Sequence, residues 1–314
     1  MAFAPPGFAG DFTGRTITYI VSTQPGGGYD AYGRLIAKYL EKHLDGATVV
    51  VKNVPGAGQL SGAQLIYASP PDGLTIGIFN MGMVYGQMTG MFGDKLDLGK
   101  LGWIGKADSE ARVVMVRMDS PLKSVEDVHA AKEPLKNAIS GKGSGAQFES
   151  GLLAKLLGWN LKPIFGFGGT EAEIAVLRGD VDLMIGSRGS LQHYVDAGDA
   201  RFLLEFGTRR NGDIPSLDEK DFDEQNKPLF ALIDSVSRFA RATAGPPGMA
   251  PELLKVLRDA YAAALADPEL LKEAKQANLL IASATGEEVQ QAISSVLSQS
   301  PAVTAAMKAI VTQE

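Results

Sequence analysis

Short apolar runs alternate along this chain with stretches in which apolar residues recur every three or four positions. The first run, residues 17–21, reads as a strand. The stretch after it sets Tyr32, Leu35, Ile36, Tyr39, Leu40 and His43 on one face of a helix. Between them lies Gln24-Pro25-Gly26-Gly27-Gly28-Tyr29-Asp30. Consecutive glycines strip this turn of side chains and let backbone N–H groups face outward at the positive end of a helix, which suits an anion. Asp30 fits the N-cap of that helix. A tight strand-to-helix turn without any ligand accounts for the same seven residues equally well.

The alternation continues with a strand at 48–51, the turn Pro55-Gly56-Ala57-Gly58 and a short helix through Leu65 and Ile66. Pro70-Pro71-Asp72-Gly73 then turns the chain into a strand at 74–79, which delivers Asn80-Met81-Gly82 at its end. A second series begins near Arg112 with a strand at 113–118 and the capping box Ser124-Val125-Glu126-Asp127. Three further apolar segments run into small-residue loops: Gly141-Lys142-Gly143-Ser144-Gly145, Gly166-Phe167-Gly168-Gly169-Thr170 and Gly186-Ser187-Arg188-Gly189-Ser190. Helices at 146–157 and 171–178 follow the first two. Residues 209–227 read as a surface loop. After a second crossing through 236–239 the chain is helical almost to its end, with Pro251 and Pro268 at helix starts and a capping box at Thr285-Gly286-Glu287-Glu288.

Strand–helix alternation at this spacing predicts an α/β protein with parallel sheets covered by helices on both faces. Ligands of such sheets sit beyond the C-terminal strand ends. The opening turn and the small-residue loops would then rim one cleft. Two such series joined by two crossings predict two lobes and a hinge, with residues 1–108 and 238–314 in the first lobe and 109–237 in the second.

Composition narrows the chemistry. A length of 314 residues favours two lobes over one. A net charge of -6, with no basic patch interleaved with aromatics, argues against a nucleic-acid surface. The absence of cysteine removes disulfides, thiolate metal sites and a thiol nucleophile. No apolar run approaches the roughly 20 residues of a membrane span. No basic segment precedes an apolar one at the start, and Ala2-Phe3-Ala4 resembles the tail of a cleavage site, so a removed export signal is expected.

Two stretches match the dinucleotide pattern, Gly26-x-Gly28-x-x-Ala31 and Gly141-x-Gly143-x-x-Ala146. Neither is followed by the acidic residue that would hold a ribose: the strands after them end at Lys52-Asn53 and Phe165-Gly166. A nicotinamide-dependent enzyme of that type stays as the alternative. The phosphate-loop and nucleophile-elbow patterns are missing, and His43, His129 and His193 are scattered, with no paired spacing for a metal. No catalytic constellation, cofactor site or metal site is expected. Arg188 is a candidate bidentate clamp for a carboxylate, or else a hinge-paired arginine. Met81 is a candidate apolar wall for a hydrocarbon body.

Taken in order, Pro25-Gly26-Gly27-Gly28-Tyr29-Asp30 with Arg34, Val51-Lys52-Asn53-Val54-Pro55-Gly56-Ala57-Gly58 and Pro71-Asp72-Gly73-Leu74-Thr75 resemble the receptors of tripartite tricarboxylate transporters, the Bug-type family. The likeness continues through Gly168-Gly169-Thr170, through Leu177-Arg178-Gly179-Asp180-Val181-Asp182 and through Ala244-Gly245-Pro246-Pro247-Gly248, nearly the whole chain. It implies a periplasmic receptor of the type II, Venus-flytrap fold, monomeric and non-enzymatic. Its lobes close over a small carboxylate that is passed to membrane permease subunits, or the same fold serves a sensor. The site it implies draws Pro25, Gly26, Gly27, Gly28, Tyr29, Asp30, Asn80 and Met81 from the first lobe. From the second come Gly143, Ser144, Gly145, Gly169 and Thr170, with Ser187 and Arg188 beside them. The chain departs from the family pattern at Tyr29, at Gly166-Phe167 and at Gln147-Phe148, all near the implied ligand contacts.

Overall fold

Strand β1 (Thr16–Val21) is apolar on both sides because it lies inside a sheet covered on both faces. Ile17, Tyr19 and Val21 pack with Tyr32, Leu35, Ile36 and Leu40 of α1 (Gly28–Lys42), the stripe read from the sequence. Ile20 points the other way, onto Ala63 and Ile66 of α2 (Leu60–Tyr67). The computed structural model describes residues 11–109, 111–168, 170–207 and 212–312. Gly169 and the start of the 209–227 loop lie outside the described residues.

The first sheet adds β2 (Thr48–Asn53), β3 (Thr75–Phe79), β4 (Gly102–Lys106), β10 (Ala242–Gly245) and β11 (Ala284–Thr285), in the order β11-β4-β10-β3-β1-β2. Between β3 and β4 lies α3 (Met83–Met88). Helices α9 (Pro251–Ala266) and α10 (Pro268–Gln276) join α1 on one face, while α11 (Gly286–Leu297) joins α2 and α3 on the other.

The second sheet holds β5 (Ala111–Arg117), β6 (Leu135–Ile139), β7 (Leu161–Phe165), β8 (Leu183–Ser187) and β9 (Ala200–Gly207), in the order β7-β6-β8-β5-β9. Val114 and Val116 of β5 share a core with α5 (Gly145–Leu157) and α8 (Lys227–Ser237). Val113 and Met115 face α6 (Glu171–Arg178) and α7 (Arg188–Asp196). The capping box of α4 (Val125–Ala130) forms as read, with Ser124 and Asp127 exchanging hydrogen bonds. Helix α12 (Pro301–Thr312) straps the lobes together: Val303, Met307 and Ile310 are buried, and Ile310 abuts Gly151 of α5.

The sheets are mixed: most strands of each run in one direction, and β10 and β11 in the first sheet and β5 in the second oppose them. Crossovers through helices make β1, β2 and β3 parallel in the first sheet and β6, β7 and β8 parallel in the second. Strands β5 and β10 each follow a crossing between the lobes, so they start beside the cleft, run away from it and pair antiparallel. The two crossings are fastened to each other. Ala107 N–H donates to the Arg241 carbonyl at 3.2 Å, and Lys106 Nζ donates to the Arg238 carbonyl at 2.8 Å. Strands β4 and β9 and helix α8 do not stand out in the apolar pattern, and part of α8 falls where a loop and a crossing are expected.

Candidate functional site

The opening turn is held from behind by Asp30. Gly26 takes φ +95°, a left-handed conformation open to glycine, and Gly27 is the N-cap of α1. Asp30 is therefore not the N-cap. It lies in the first helical turn, where Oδ2 accepts Gly26 N–H at 3.0 Å and Arg34 Nε at 3.0 Å, while Oδ1 accepts Asn53 Nδ2 at 2.9 Å. Asn53 Nδ2 also donates to the Thr23 carbonyl at 3.0 Å, tying the end of β2 to the turn. Burial pushes the Asp30 carboxyl up, but the hydrogen bonds from Arg34, Gly26 and Asn53 outweigh it and hold the group below the ordinary carboxylate range. With its carboxylate engaged behind the turn, Asp30 shapes the turn's outward face.

That face meets the second lobe. A methyl group at Gly28 would lie 2.3 Å from Ser190 Oγ of α7, so α1 approaches α7 only because residue 28 has no side chain. Arg241, beside the crossing, stacks its guanidinium 3.8 Å from the Tyr29 ring centroid and 5.0 Å from that of Tyr32, which fixes the first turn of α1.

Opposite, β6 ends in the loop that leads to α5. Ser144 is the N-cap of that helix by backbone position, yet its Oγ makes no capping bond and is buried without a partner. A methyl at Gly58 would stand 3.0 Å from the Lys142 carbonyl, and Gly168 lies against Gln24, so loops of the two lobes touch around the rim. They border a solvent-open cleft of about 350 Å³ between the strand-end loops, within the range of small-ligand sites. Its wall includes Gly27, Gly28, Tyr29 and Asn80 from the first lobe and Ser144 and Gly145 from the second.

The remaining expected site residues that the structure describes are off this wall. Pro25 and Gly26 shape the turn, and Met81 is buried in the apolar core with Phe79 and Tyr85. Gly143 N–H is taken by Gln147 Oε1 at 2.7 Å. Thr170 and Ser187 are the N-cap positions of α6 and α7. The carboxylate clamp expected of Arg188 is replaced by internal ion pairs. Its Nη1 donates to Glu205 at 2.7 Å and its Nη2 to Asp213 at 2.8 Å, because α7 points the side chain toward β9 and away from the cleft.

The wall also includes residues outside any of the motifs. Thr23 follows β1, Arg112 opens β5 and Glu173 lies within α6. Arg112 is held by Glu149 through Nε–Oε1 at 3.0 Å and Nη2–Oε2 at 2.6 Å. Three side-chain oxygens of the wall are buried with no hydrogen-bond partner: Thr23 Oγ1, Ser144 Oγ and Glu173 Oε2. Larger hollows beside α7 and α10, of about 480 Å³, and beside α9 and α11, of about 560 Å³, have no such oxygen on their walls among the described residues. Among the described residues no cluster of His, Asp or Glu is placed to hold a metal, and no helix is long and apolar enough to cross a membrane.

Comparison with known proteins agrees with this geometry. The chain is 26% identical over 288 residues to the UPF0065 protein of the tcbD–tcbE intergenic region of Pseudomonas sp. (strain P51), covering 88% of this chain and 81% of that one. A TctC solute-binding protein from Polaromonas shares the fold with a TM-score of 0.66 at 22% identity, covering 95% of this chain and 98% of the other. MatC from Rhodopseudomonas palustris, solved with bound malate, matches with a TM-score of 0.74 at 19% identity, covering 94% and 98%. The model of the tripartite tricarboxylate transporter family receptor matches residues 33–308. With the two-lobed fold and the cleft between the lobes, that match places the chain in the family of solute-binding receptors that serve tripartite tricarboxylate transporters.

Proposed function

We propose that the chain captures a small carboxylate in the cleft between its lobes, closes over it as a monomer and presents it to the membrane subunits of a tripartite transporter. Residues 1–108 and 238–314 act in this reading as one lobe and 109–237 as the other, with the exported form working in the periplasm. One observation carries the ligand class. The N-terminal ends of α1 and α5 meet at the cavity, where the buried hydroxyls of Thr23 and Ser144 have no hydrogen-bond partner among the described residues. Helix N-termini and hydroxyls are donors, and a desolvated carboxylate gains most from such charge-assisted hydrogen bonds. The malate held by MatC, a protein of the same fold, is a ligand of this class.

Capture works by differential affinity. A ligand that bridges donors of both lobes binds the closed arrangement better than the open one and shifts the population toward it. The chain performs no reaction in this account. Isothermal titration with a panel of mono- and dicarboxylates is expected to give at least one exothermic binder. A flat response to every carboxylate, with tight binding of a sugar or a cation, overturns the reading. Gly27→Val is expected to weaken binding far more than it lowers the melting temperature, and equal losses would make the turn structural only.

A further inference from the structure

Glu173 occupies the third position of α6, on the wall of the cleft, and its Oε2 is buried with no hydrogen-bond partner. The other charged side chain on that wall, among the described residues, is Arg112, whose guanidinium is matched by Glu149. Glu173 is thus an acid whose charge no wall residue offsets. Burial pushes its carboxyl up, by more than the hydrogen bond from its own backbone N–H draws it down. Native proteins seldom bury a polar atom without a partner, and such atoms at a cleft wall call for one from outside the chain.

The cleft is therefore bipolar. The N-terminal ends of α1 and α5 favour negative charge at the wall, and Glu173 favours positive charge. We propose that Glu173 determines ligand choice by pairing with a cationic nitrogen on the ligand, so that the cleft takes a small carboxylate that also carries an amine. This rests on the carboxylate reading above and names the second group. An ammonium gives Oε2 a charge-assisted hydrogen bond. A plain dicarboxylate of the same length sets a second anion beside Glu173, and like charges drawn together in a closed cleft disfavour the complex. Discrimination comes from both the gain and the repulsion.

Matched pairs test this on the full chain: aspartate with succinate, glutamate with glutarate, and 4-aminobutyrate with butyrate, titrated calorimetrically into the native protein and Glu173→Gln. In at least one pair the amine-bearing member is expected to bind the native protein at least about tenfold more tightly. Glu173→Gln, similar in shape and lacking the charge, is expected to erase that preference while the deaminated partner binds as well or better. A melting curve for the variant separates this from misfolding, and Glu173→Asp, which restores the charge, is expected to restore part of the preference. Equal binding within every pair, or a preference that survives in Glu173→Gln, overturns the assignment of Glu173 and leaves carboxylate capture standing. Failure of every carboxylate to bind either protein overturns capture itself, and this inference with it.

Discussion

Gly82, at the end of the loop after β3, faces Gly145, the first residue of α5, so closely that a methyl group on Gly82 would lie 2.5 Å from Gly145 Cα. The two residues belong to different lobes, and Asn80 Oδ1 steadies the near side by accepting Gly82 N–H at 2.8 Å. In the proposed closing motion, this approach forms as the lobes come together and is released when they part. Gly82→Ala is thus expected to obstruct closure and to lower affinity for the captured carboxylate by at least about tenfold, or about 1.4 kcal/mol. The melting temperature without ligand should barely move, because the open form has room for the methyl. Titration and thermal melting on the same preparation check it, and unchanged affinity would remove this contact from the closing mechanism.

Thr23 offers a sharper separation of binding from stability. Its hydroxyl is buried and unmatched, so Thr23→Val replaces an unsatisfied oxygen by a methyl of similar size. Removing a buried group that had no partner is neutral or stabilising. Ligand-free Thr23→Val should melt no lower than the native protein, while carboxylate affinity falls severalfold. A drop in melting temperature with affinity intact would show the hydroxyl to be bonded within the fold.

Asp30 makes the opposite prediction. Its carboxylate gathers Gly26, Arg34 and Asn53, so Asp30→Asn should cost on the order of 1–3 kcal/mol in urea unfolding at neutral pH. The sign of its pH dependence follows from a carboxyl held below its ordinary value in the folded chain. The stabilisation is complete above the unfolded pKa near about 4 and is lost as pH falls through the lower folded pKa. The gap between native and Asp30→Asn should therefore narrow below about pH 4. A gap constant with pH would mean that the charge contributes nothing.

Arg188 separates fold from ligand. Glu205 is fully buried, and Arg188 holds it at 2.7 Å. Arg188→Met removes a charged partner from that buried carboxylate and is expected to cost up to about 3–5 kcal/mol of stability. Folded Arg188→Met should still bind the carboxylate with near-native affinity, since residue 188 lies off the cavity wall. A selective loss of binding with native stability would restore the clamp.

Local rules made some of this legible beforehand. The strand, glycine turn and amphipathic helix at the start follow from periodicities set within a few residues, and both expected capping boxes, at Ser124 and Thr285, form. Glu173 was invisible by the same logic. Inside Glu171–Arg178 it reads as one more polar helical position, and only the packing of α6 against the cleft shows which way it faces. The two readings of Arg188 stay open in the sequence for a related reason: a glycine-rich strand-end loop suits a ligand-binding arginine, but Glu205 and Asp213 that pair with it are distant along the chain. The antiparallel entry of β5 and β10 likewise depends on where the chain crosses between lobes, which the apolar pattern of either strand does not record.

The sequence by itself determined the alternation of strands and helices and the side-chain-free turns at strand ends, because these rest on short-range sterics and on periodicity, and the order of its motifs carried the family resemblance. Only the tertiary structure decided which donors and acids share the cavity, which charges are already matched and which loops of the two lobes touch. Those outcomes depend on distances between residues far apart in the chain, and such distances exist only once both sheets have packed.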